Sequence, residues 1–140
     1  MMGAPLWRKY LKPRLKIMYE TARKKGMRIM THTCGDVTEI FPDMIELGIE
    51  CINDIQPECM DLTFLKREYG KDIVLFGGLG SQSTIPGSTP EEVVREAEER
   101  LALLGAGGRC IIGPAGAIPA EAPVENVVSL IEYFKKTLGG

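Results

Sequence analysis

A chain of 140 residues, 44% hydrophobic and 26% charged, has the composition of one globular domain with a sizeable core, which excludes a disordered protein. A net charge of −2 without a Lys/Arg block argues against nucleic acid as a main partner. No apolar run is long enough to span a bilayer, and the start, Met1 to Lys9, lacks the apolar stretch of a secretion signal.

Taken in order, Leu6 to Lys25 reads as helix, with Leu6, Tyr10, Leu11, Leu15, Met18 and Tyr19 at helical spacing. Pro13 predicts a kink or two abutting helices, because proline is tolerated in a first turn and not in an interior. Gly26 ends the helix, and Met27 to Thr31 follows as a strand. Asp36 or Thr38 can cap the next helix, Thr38 to Leu47, which Gly48 stops. Ile49 to Ile55 is a second strand, closing on Asp54, Gln56 and Pro57. Asp61 caps a helix through Tyr69. Ile73 to Phe76 is a third strand that runs into Gly77-Gly78, glycines suited to close backbone passage; no lysine follows as a phosphate loop requires. Thr89-Pro90-Glu91-Glu92 has the cap, first-turn proline and third-position glutamate of a capping box, opening a helix to Leu104. Arg109 to Ile112 is a fourth strand before Gly113-Pro114-Ala115-Gly116. A last helix runs from Val124 to Leu138.

The four strands are largely unalternated, as strands buried on both faces are, and helices separate them. That pattern predicts an α/β fold with a parallel sheet. In such sheets the working groups collect at the carboxyl ends of the strands. The first strand ends in His32-Thr33-Cys34-Gly35-Asp36, which holds the only histidine of the chain. Alternation puts His32 and Cys34 on one side, so their ring nitrogen and sulfur should come within about 5 Å, the span of two ligands of one zinc. The plain alternative is a polar turn with a partly buried thiol. Asp54 and Gln56 end the second strand and could line the same cleft or cap a turn. Gln82 and Ser81, after the third strand, could reach a substrate. Cys51 reads as core, Glu58 and Arg67 as surface charges, and Arg8, Lys9, Lys12, Arg14 and Lys16 as a solvated helix face. Cys34, Cys51, Cys59 and Cys110 lack a staple-like spacing, so a reduced, cytoplasmic setting is expected.

Five stretches together resemble the uroporphyrinogen decarboxylase superfamily: His32 to Asp36, Gln56 to Asp61, Gly77-Gly78 with Gln82, Gly87 to Glu92, and Pro123 to Val127. The resemblance runs from Trp7 to the last helix. It implies half of a (β/α)₈ TIM barrel, a single partial domain over 1–140 corresponding to the carboxyl-terminal half. His-x-Cys-Gly places the chain beside the branch that transfers methyl groups with corrinoid proteins, where zinc holds a thiol such as coenzyme M as thiolate. The resemblance therefore implies His32 and Cys34 as catalytic and metal-binding residues. It also implies that a third ligand, a cysteine in that branch, falls at Gly116 here, with Cys59 or Glu121 as replacements to be weighed. Asp54, Gln56, Gln82 and Glu121 are the candidate substrate contacts. The cofactor would be zinc, and corrinoid would enter only through a partner protein. The alternatives are a tetrapyrrole carboxy-lyase of haem biosynthesis and a non-catalytic fragment that binds a partner half. Half a barrel leaves sheet edges and interior side chains uncovered, so a homodimer or association with a missing half is expected.

Overall fold

The computed structural model describes residues 3–139. The first helical stretch is two helices, α1 (Ala4–Tyr10) and α2 (Lys12–Arg23), broken at Leu11. Pro13 lies in the first turn of α2, where its missing N–H has no helical partner to lose. Strand β1 is Met30–His32. It begins three residues later than the sequence suggests, because the Met27 amide is still bonded back to the Ala22 carbonyl of α2 at 3.2 Å. A 3₁₀ turn, Thr38–Ile40, leads into α3 (Phe41–Glu46), and β2 follows as Cys51–Ile55. Asp61 caps α4 (Leu62–Tyr69) by accepting from the Phe64 amide at 2.9 Å.

Strand β3 spans Val74–Leu79, longer than expected, since Gly77 and Gly78 pair with Ile112 and Gly113 rather than leaving the ladder. At Gly77 φ is 124° and a β-carbon would stand 2.9 Å from the Ile55 amide nitrogen, so only glycine lets β2 and β3 approach here. A one-turn helix α5 (Thr84–Gly87) precedes α6 (Pro90–Gly105), which carries the full capping box of Thr89 and Glu92. Strand β4 (Cys110–Pro114) and α7 (Val124–Leu138) complete the described chain.

The sheet order is β1-β2-β3-β4 and every pair is parallel, the sequential arrangement of half a (β/α)₈ barrel. The rows across the sheet alternate in side. Thr31, Ile52, Leu75 and Cys110 form one row and face the helices, with Ile52 and Leu75 fully buried. Phe41, Leu65 and Ile55 join them in the core. The rows containing Met30, Cys51 and Val74, and His32, Asn53, Phe76 and Ile111, lie on the other side and stay open. Met30 is 61% and Ile111 46% exposed.

Two groups of surface charge do more than the sequence reading assigned to them. Arg8 and Lys12 are not a solvated face. Arg8 binds Asp43 at 2.9 Å and Glu39 at 3.2 Å, and Lys12 binds Asp43 at 2.7 Å and Glu46 at 2.6 Å, clasping α1 and α2 to α3. Burial pushes the Asp43 carboxyl up, but Lys12 and Arg8 outweigh it and hold it below its ordinary value. Glu58 accepts from the Gln82 amide at 3.0 Å and the Ser83 hydroxyl at 2.9 Å, joining the loops after β2 and β3. No helix among the described residues is long and apolar enough to cross a membrane.

Candidate functional site

The carboxyl ends of the four strands are bonded into one rim. The Thr33 amide donates to the Asn53 carbonyl at 2.6 Å and the Ala115 amide to the Leu79 carbonyl at 2.9 Å. The Ser81 hydroxyl, 2% exposed, donates to the Ala115 carbonyl at 3.1 Å and so ties the loop after β3 to the loop after β4. The sequence reading weighed Ser81 as a helix cap or a substrate contact; it is a brace.

On this rim Nε2 of His32 lies 3.4 Å from Sγ of Cys34, the same-side placement that alternation requires. Nδ1 of His32 lies 3.5 Å from Oδ2 of Asp54. Strict alternation would put Asp54 with Ile52 on the helix-facing side. The register breaks between Asn53 and Ile55, and the Asp54 carboxylate meets the histidine instead. The donor atoms of His32, Cys34 and Asp54 all lie within 4.8 Å of one another. Asp54 is 4% exposed, whereas the His32 and Cys34 side chains open to solvent, so the cluster has a buried acidic floor and an accessible mouth.

The remaining candidates fall around this cluster. The Gln56 side chain, 6% exposed, accepts from the Gly35 amide at 2.6 Å, which fixes the turn that carries Cys34. Its carbonyl is thus engaged with the protein. Cys59 does not join the metal-ligand group: its thiol points at the Gln56 backbone carbonyl, 3.8 Å away. Burial, with the nearby charges of Asp36, Glu58 and Cys34, pushes that thiol up. Glu121 is exposed in the loop after β4 and is also outside the group. Gln82 is exposed and held through its backbone. Among the described residues, the group whose donor atoms lie close enough to share one ion is His32, Cys34 and Asp54, and it includes neither Cys59 nor Glu121. The loop position weighed for a further ligand is close by: a β-carbon on Gly116 would stand 3.6 Å from Asp54 Oδ2 and 3.2 Å from Ser81 Oγ. Its φ of 136° is one that side-chain-bearing residues rarely adopt.

Two hollows flank the sheet. One, about 480 Å³, opens beside Cys34 and is walled by Trp7, Leu11, Val37 and Ile40. The other, about 610 Å³, is an apolar groove between β4 and α7, lined by Ile112, Pro114, Leu130 and Phe134, and includes none of the cluster residues.

Comparison with known proteins places this geometry. The family model described as uroporphyrinogen decarboxylase (URO-D) matches residues 1–137. A methylated-thiol–coenzyme M methyltransferase of Methanosarcina mazei is 26% identical over 106 residues, covering 76% of this chain and 27% of the relative. A methylcobamide:CoM methyltransferase of Methanosarcina barkeri is 28% identical over 139 residues, covering 96% of this chain and 38% of the relative. The chain thus spans less than two-fifths of the length of these relatives. With four sequentially paired parallel strands, a rim of strand-end chemistry and a family match over nearly its full length, the chain belongs to the uroporphyrinogen decarboxylase family.

Proposed function

We propose that this chain carries the metal-binding side of a methyltransferase of the family, one that moves a methyl group between a corrinoid protein and a small thiol. The observation that carries the reading is the nitrogen, sulfur and oxygen donor set of His32, Cys34 and Asp54, gathered within 4.8 Å at the strand ends. Catalytic zinc sites use three protein ligands of these types and leave a fourth position open, so the donor set fits the metal. When bound, zinc supplies Lewis acidity that favours the thiolate form of a thiol. The chain's own residues do the positioning. Gln56 fixes the turn that carries Cys34 by accepting from the Gly35 amide. The exposed mouth leaves room for a substrate sulfur. The two methyltransferase relatives support this reading over carboxy-lyase chemistry on a tetrapyrrole.

Cobalt(II) titration of the reduced chain tests it, because cobalt bound through a thiolate gives a sulfur-to-metal charge-transfer band. One equivalent per chain with that band is expected. Cys34→Ser should abolish the band, and His32→Ala and Asp54→Asn should each weaken binding, because each leaves only two protein ligands. Absence of cobalt and zinc binding in a folded, reduced chain sinks the metal reading. Gly116→Cys should tighten cobalt binding by adding a donor beside Asp54, at a backbone cost of about 1–3 kcal/mol for its positive φ. Unchanged affinity in a folded variant means that this loop does not aim into the site.

A further inference from the structure

The hollow beside Cys34 shares that thiol with the metal-ligand cluster but is built from different parts of the chain. Its floor is apolar: Ala4, Val37 and Ile40 are each 8–9% exposed. Its wall is the helix pair, through Trp7 and Leu11. Asp36 and Glu39 supply its charge, and among the described residues no lysine or arginine lines it. Arg8 reaches Glu39 from outside at 3.2 Å and offsets part of that charge. Asp36 is different. Its carboxylate accepts from the Thr38 amide at 2.9 Å, and no cation stands within ion-pairing distance of it among the described residues.

We infer that this hollow takes the tail of a thiol substrate whose sulfur sits at Cys34 and His32, and that the tail it selects is cationic, of the aminothiol class, and not the sulfonate tail of coenzyme M. The inference rests on the methyl-transfer reading and names the substrate class for that site. Three observations carry it. The hollow begins at Cys34, so a short chain anchored by its sulfur at the cluster extends into it. Its surface is apolar enough for an alkyl linker. The Asp36 carboxylate, which has no cation beside it among the described residues, favours a positive terminus and repels a negative one, and the Trp7 ring adds a surface to which ammonium groups are attracted.

The test uses three thiols on one two-carbon frame: cysteamine, 2-mercaptoethanol and 2-mercaptoethanesulfonate, which end in a cation, a neutral hydroxyl and an anion. Trp7 is the only tryptophan in the chain, so its emission reports occupancy of this hollow. With zinc present, cysteamine should bind about tenfold or more tighter than the sulfonate, with mercaptoethanol between them. Asp36→Asn keeps an acceptor for the Thr38 amide and should shrink that ratio to about threefold or less, the size of one lost long-range charge. Raising the salt on the wild-type chain should shrink it as well, which serves if the variant folds poorly. Equal affinities, tighter binding of the sulfonate, an unchanged ratio in folded Asp36→Asn, or no change in Trp7 emission with any of the three overturns the proposal. Repeating the series without zinc separates the two readings. Zinc should strengthen all three thiols alike through their sulfur; if it does not, the metal reading fails, while the ratio between the three still judges the hollow.

Discussion

The two faces of the sheet are made by the same strands, yet they are in opposite physical states. On the helix-covered face Ile52 and Leu75 have no exposure, and Leu65, Phe41 and Ile55 close over them. On the other face Met30 and Ile111 stand open, Cys51, Val74 and Phe76 are half-buried, and the Asn53 side-chain oxygen is buried without a partner. Strands that are apolar on both sides are built to be covered on both sides. Here one side is covered by helices of this chain. His32 belongs to the open face by its row in the ladder, so the candidate chemistry lies at the top of the face that contributes least to stability. The comparison teaches that fold and site draw on different residues of the same strands.

Substitutions can break that comparison or sharpen it. The largest effect should come from Leu75→Ala, which empties a fully buried position and should cost about 2–5 kcal/mol in urea unfolding. The same truncation at Ile111 should cost less than about 1 kcal/mol, since nearly half of that side chain is already in water. Equal losses at the two positions would mean that the open face is covered in solution. Next comes the clasp between α1, α2 and α3. Asp43→Asn should cost about 1–2 kcal/mol, because Lys12 and Arg8 each lose a charged acceptor. The Asp43 carboxyl is held below its ordinary 3.8 when folded, so its contribution is complete above that value. It is lost as pH falls through the lower, folded value. The wild-type chain should therefore lose stability in acid more steeply than Asp43→Asn, by the difference between their unfolding midpoints across that range. The smallest effect on unfolding should be Ile111→Ser, within about 0.5 kcal/mol, yet it should lower self-association. Light scattering would show it: the wild-type chain is expected to run above monomer mass, and a sharp monomer mass at every concentration would defeat that expectation.

Much of the architecture was legible from local signals. The capping box at Thr89, the Asp61 cap, the Pro13 break and the last helix each depend on neighbours within a turn, and each stands where the sequence puts it. What escaped depended on partners far along the chain. The Asp43 clasp joins residues 31 to 35 positions apart, and Glu58 bridges to Gln82 across 24, so nothing in their local sequence marks them. The place of Asp54 beside His32 comes from a register break between two paired strands, which no single strand displays. Gly77 was legible in kind, as close passage, but the continuation of β3 through it required the pairing with Ile112. The place of Asp36 beside the hollow was legible only as a helix cap.

The sequential strand order also bears on how the chain reaches its fold. Met30 pairs with Cys51, Cys51 with Val74, and Leu75 with Cys110, so each pairing closes a segment of roughly two to three dozen residues. The entropy of closing these segments differs by only about half a kcal/mol from the shortest to the longest. No strand has to wait for a distant one. Each strand–helix–strand unit can nucleate separately and extend its neighbour, as in repeat proteins, where nucleation is not confined to one place. The order of assembly is then set by which crossover forms its helix most readily. The capping box and length of α6 favour the β3–β4 unit as the first to appear in pulsed hydrogen exchange, with the three-residue β1 joining last.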